Sequence, residues 1–78
     1  MSKLEKLIDK ILSNRSIRYE EAERILLHLG FEFHIHGSHH IFTKHNYPRN
    51  IALKRRKELM DYQVGYLKKV LFDHGYKN

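Results

Sequence analysis

An α+β fold is predicted for this chain, with a three-stranded antiparallel sheet covered by helices on one face. Three observations carry that expectation. Apolar residues repeat at helical spacing in three stretches, Leu4 to Leu12, Ala22 to Leu29 and Val64 to Leu71. Right after Gly30 the period changes to strict alternation, with Phe31, Phe33 and Ile35 interleaved with Glu32, His34 and His36. Two more short strand-like runs follow before the last helix, so the order reads α-α-β-β-β-α. At 78 residues the chain is expected to form a single domain.

Ser2 and Glu5 have the spacing of a capping box, and Leu4, Leu7, Ile8, Ile11 and Leu12 form the stripe of the first helix. Ser13-Asn14-Arg15-Ser16 ends it. A second helix starts near Tyr19, where Glu20 and Glu21 favour its positive end; its stripe is Ala22, Ile25, Leu26 and Leu29, and Gly30 is its carboxyl-terminal cap. The alternating segment that follows reads as a half-buried strand. Gly37-Ser38 suits a two-residue hairpin turn with positive φ at the glycine, and the returning strand runs from His39 to about Lys44. Residues 45–50 read as a loop and Ile51-Ala52-Leu53 as the third strand. Asp61 is placed to cap a last helix with the stripe Val64, Leu67, Val70 and Leu71, stopped by Gly75. Gly65 weakens that helix by roughly 1 kcal/mol relative to alanine. A sheet covered on one side leaves its other face open to a ligand.

There is no cysteine, which rules out disulfides, thiolate metal sites and a cysteine nucleophile. No apolar run reaches membrane-spanning length, and the start, Met1-Ser2-Lys3-Leu4-Glu5-Lys6, lacks the apolar region of a signal peptide; the cytoplasm is the expected location. The net charge of +6 is uneven: residues 1–30 carry 6 basic and 5 acidic side chains, residues 31–78 carry 9 and 4. The positive half is the one that holds the histidine cluster, which favours a polyanionic partner, nucleic acid first.

Chemistry concentrates in Gly37-Ser38-His39-His40-Ile41-Phe42 and in Lys54-Arg55-Arg56-Lys57. Histidine exchanges protons near neutrality, and arginine and lysine are the usual phosphate ligands. Alternation puts His39 and His40 on opposite sheet faces, so one of them is expected to be structural, and His40 is the one assigned that role. Phe42 shares a face with His40 and Ile41 with His39, so the pattern leaves open which face is buried. His34 and His36 face the same way, and imidazole suits zinc; without thiolates, and with Glu32 the sole nearby carboxylate, a polar strand face is expected instead. Tyr47 and Tyr62 are candidates for stacking on an unpaired base, although single aromatics more often serve as packing residues.

This element order with GSHHIF in its hairpin resembles the HicA family of small toxins from bacterial and archaeal toxin–antitoxin pairs. The resemblance covers roughly residues 22–76, through Leu29-Gly30-Phe31, the GSHHIF run, Lys57-Glu58-Leu59, Tyr62-Gln63-Val64 and Gly75-Tyr76. It implies a fold similar to double-stranded-RNA-binding domains over a HicA-like core of residues 19–78, with residues 1–18 as an additional amino-terminal helix like that of longer members. It also implies an mRNA-cleaving endoribonuclease without metal or cofactor, held inactive by a HicB-like antitoxin. The catalytic residue it implies is His39. Many members carry proline after the third strand and then a histidine; here Lys54-Arg55-Arg56 keeps the positive charge. RNA brings its own nucleophile, the 2′-hydroxyl, so cleavage needs a base, a leaving-group acid and charge stabilisation. His39 is the expected base, and the acid stays open between His40 and a water. Ser38, Lys44, Lys54, Arg55, Arg56 and Lys57 are the expected RNA contacts. The alternatives are an RNA-binding module of the same fold that cuts nothing, and a metal-binding histidine hairpin.

Overall fold

The computed structural model describes residues 3–54 and 58–76. Within them the elements are α1 (Lys3–Leu12), α2 (Tyr19–His28), β1 (Glu32–His36), β2 (His39–Thr43), β3 (Ile51–Lys54) and α3 (Asp61–Asp73), in the expected α-α-β-β-β-α order. Ser2 of the expected capping box and Arg55-Arg56-Lys57 of the basic run lie outside the described residues. None of the helices described is long and apolar enough to cross a membrane.

All three helices stop in the same way. Asn14, Gly30 and Gly75 follow the caps with φ of 58°, 96° and 92°, the left-handed conformation that glycine adopts without strain and asparagine tolerates. The next residue then donates its N–H five positions back: Arg15 to Lys10, Phe31 to Leu26 and Tyr76 to Leu71, at 2.9–3.0 Å. This pairing satisfies carbonyls that a helix end otherwise leaves unbonded. The helix starts differ from expectation at one point. Met60, not Asp61, is the N-cap of α3, and Asp61 is the first helical residue, where its charge still favours the positive helix end. The Met60 N–H donates to the Gln63 side chain at 2.9 Å, and the Arg18 N–H donates to Glu21 in the same way at the start of α2.

The strands form one antiparallel sheet in the order β1-β2-β3. Gly37-Ser38 closes the first hairpin, with positive φ at Gly37 (60°) and not at Ser38, as a type II′ turn requires. Pairing register divides the side chains into two faces. Phe33, Phe42 and Ile51 form one row toward the helices, and Ile35, His40 and Leu53 the next. Phe42 is 0% exposed and Leu53 1%, within a core built from all three helices, from Ile17 and from Leu59. The opposite face carries His34, Ile41 and Ala52 in one row and His36, His39 and Lys54 in the next. It is the open face.

The first strand corrects one expectation. Instead of being half-buried, every residue of β1 is exposed, including Phe33 (37%) and Ile35 (62%). The strand residues that enter the core are Phe42 of β2 and Ile51 and Leu53 of β3, and none of β1 joins them.

Helix α1 lies against α2 and α3 and contributes Ile8, Ile11 and Leu12 to the common core. The Lys10 ammonium meets the Glu21 carboxylate at 3.1 Å, joining α1 to α2. Burial pushes the Glu21 carboxyl up, but the Arg18 N–H and Lys10 outweigh it, and the net displacement is below the usual carboxylate range. A second tie joins the segments that lead into α2 and α3: the Leu59 N–H donates to the Ile17 carbonyl at 2.8 Å, beside an isolated antiparallel backbone β-bridge between Arg18 and Glu58.

Candidate functional site

The hairpin turn decides where the histidines go. Residues flanking a two-residue turn are paired directly and project to the same side, so His36 and His39 stand opposite each other at the end of the open face. On the far side of His39 the partner is Lys54 of β3. The row His36–His39–Lys54 therefore crosses the whole sheet, one residue per strand, and all three are exposed. Directly opposed side chains in such pairs have Cβ atoms roughly 4.5–5.5 Å apart, close enough for adjacent polar heads to engage one small group. Two imidazoles and an ammonium on a solvated surface can hold a phosphate and move protons at it.

Other groups on this face are arranged differently. His34 lies in the neighbouring row and engages the end away from His36, with its Nε2 3.4 Å from the Thr43 hydroxyl and 3.9 Å from the Glu32 carboxylate. Among the described residues no group of three or more histidine, aspartate and glutamate side chains is placed to hold a metal ion. Ser38 is exposed in the turn beside His39. Arg55, Arg56 and Lys57 follow Lys54 in the chain but lie outside the described residues.

His40 is on the helix side, as its assignment to a structural role requires. Its Nδ1 is hydrogen-bonded to the hydroxyl of Tyr19, a residue with no exposed surface, and its ring meets Tyr19 edge-on at 5.1 Å and Phe33 at 5.0 Å. One option is thereby corrected. His40 cannot act as the leaving-group acid for a phosphate at His39, because the sheet lies between them.

One more expectation changes. Lys44 does not extend the phosphate surface at His39. Its ammonium donates to His74 Nε2 at 2.9 Å and lies over the Phe31 ring, at the helix side of the sheet. The His74 Nδ1–H donates to the Val70 carbonyl at 2.7 Å, which leaves Nε2 as the acceptor for Lys44. Tyr47 takes the packing role, the commoner of the two expected for a lone aromatic. Its ring meets Phe31 and His74, and its hydroxyl donates to the Asp73 carboxylate at 2.8 Å. Burial, then the bond to Asp73, pushes its phenol up to about 12. Tyr62 remains exposed (65%) and, with Tyr66, Asn50 and Ala52, lines a shallow cavity of about 190 Å³ beside the β3 edge.

The neighbour of His39 that the sequence pattern did not single out is His36, expected there as part of a polar strand face. The signal was present: once Gly37-Ser38 is a two-residue turn, residues 36 and 39 must pair. Compared with protein-family models, with curated proteins and with solved structures, the chain matches none.

Proposed function

We propose that this chain is a HicA-like toxin, a metal-independent endoribonuclease that cleaves mRNA in the cytoplasm and is restrained by a HicB-like antitoxin. One observation carries the reading: His39, the histidine directly after Gly-Ser in the GSHHIF run, sits on the open sheet face between His36 and Lys54. The core from Tyr19 to Asp73, two helices on one side of an antiparallel sheet, supports the likeness to double-stranded-RNA-binding domains. The excess of basic side chains in residues 31–78 supports a nucleic-acid substrate.

In the proposed reaction His39 accepts the proton of the 2′-hydroxyl as that oxygen attacks the adjacent phosphorus. Lys54 lies across from His39 and stabilises charge on the non-bridging oxygens. Ser38, Arg55, Arg56 and Lys57 supply further phosphate contacts, which position the strand without reading its sequence. The alternative, an RNA-binding module that cuts nothing, differs in a single readout. Incubation of the purified protein with RNA should yield new ends bearing a 2′,3′-cyclic phosphate and a 5′-hydroxyl. RNA with a 2′-deoxy residue at the cut position should resist, and chelator should have no effect. Binding with no new ends would favour the module, and cleavage of the 2′-deoxy substrate would exclude the 2′-hydroxyl mechanism.

A further inference from the structure

We infer that His36 is the general acid that protonates the departing 5′-oxygen, making the site a pair of histidines on either side of the hairpin turn. The inference rests on the endoribonuclease reading above. Expelling an alkoxide near neutral pH calls for a proton donor beside the leaving oxygen. That donor must share the open face with His39, reach the same phosphate and exchange protons readily near neutrality.

The open face holds few such groups. His34 is one row away and engages Thr43 and Glu32. Glu32 is a further row away, paired with Thr43. Lys54 is the cation of the row, suited to charge stabilisation. His40 is on the other side of the sheet. Of the imidazoles and carboxylates among these, His36 alone is paired directly with His39. The short turn between them fixes their backbones in direct register and sends both side chains to the same face.

The 2′-hydroxyl gives its proton to neutral His39 while the 2′-oxygen–phosphorus bond forms. The phosphorus–5′-oxygen bond breaks, and protonated His36 gives its proton to the 5′-oxygen. Exchange with water then returns both imidazoles to their starting states. Lys54 faces His39 from β3, and His34 and Glu32 stand along β1; these are the charged and titratable groups on this face among the described residues.

A substrate with sulfur in place of the bridging 5′-oxygen tests the assignment, because a thiolate leaves without a proton. His36→Ala should lose about 10²- to 10⁴-fold on ordinary RNA. On the sulfur-bridged substrate it should cleave close to the wild-type rate, which also shows that the variant is folded. His39→Ala should be impaired on both. The alkaline fall of the wild-type pH–rate profile, where a general acid loses its proton, should disappear in His36→Ala. Equal impairment of His36→Ala on the two substrates, or no impairment on ordinary RNA, would overturn the assignment while leaving the endoribonuclease reading intact. Failure of the wild-type protein to cut either substrate would overturn both.

Discussion

His39 and His40 are adjacent in sequence and have unlike surroundings: one is exposed on the open face, the other is bonded to a buried phenol. Substitution should separate them. His40→Ala leaves the Tyr19 hydroxyl without this partner in the core, and should cost about 1–3 kcal/mol of stability in a denaturant titration. An unchanged denaturation midpoint would mean that the Tyr19–His40 bond contributes nothing. Tyr47 gives a second residue-scale test through pH. Its folded-state phenol is raised to about 12, so its contribution is present below about pH 10 and is lost as pH rises through 12. Tyr47→Phe should be less stable than wild type by about 1 kcal/mol at pH 8, and the gap should close between pH 10 and 12. A gap constant with pH would rule out the Asp73 bond as its cause. At this scale legibility follows distance along the chain. The opposition of His36 and His39 was implicit in a two-residue turn. The capture of Lys44 by His74 was not, because that pairing depends on how α3 lies against the end of the sheet.

Helix ends were the most legible elements, because Gly30, Gly75 and the Asn14 region mark the positions where the backbone must turn left-handed. Strand periodicity was legible too, but only as a division into faces. Alternation in β1 shows which side Phe33 and Ile35 take, yet whether a helix covers that side depends on tertiary packing, which buries Ile51 and Leu53 of one edge strand and leaves β1 at the other exposed. Asp61 missed the cap by one residue because the Gln63 side chain already serves the Met60 N–H. Within α3, Gly65 is exposed, has helical backbone, and has no atom within 4 Å of where a Cβ would stand. Gly65→Ala should therefore stabilise the protein by about 0.5–1 kcal/mol, since alanine has the better helix propensity and restricts the unfolded chain more. A loss of stability on thermal or denaturant unfolding would show that this position must stay free of a side chain.

At the scale of the whole molecule, the two faces of the sheet divide the work: helices and core on one side, the histidine row on the other. The basic run continues from Lys54, the last residue of that row. Replacing Arg55 and Arg56 with alanine should weaken binding to all RNA sequences and flatten its salt dependence, by about 0.7 in log–log slope for each single-strand phosphate no longer neutralised. An unchanged slope would remove both residues from the RNA surface. An antitoxin with an acidic surface should compete for the same open face, because complementary charge steers both encounters. A complex with the antitoxin that binds RNA with undiminished affinity would place the partner elsewhere. The central claim is that this face cuts RNA through His39, and cleavage by His39→Ala beside His40→Ala tests it most directly. His39→Ala should keep its fold and RNA binding and lose cleavage by about 10²- to 10⁴-fold, whereas folded His40→Ala should still cut. Full cleavage by a correctly folded His39→Ala protein would contradict the claim.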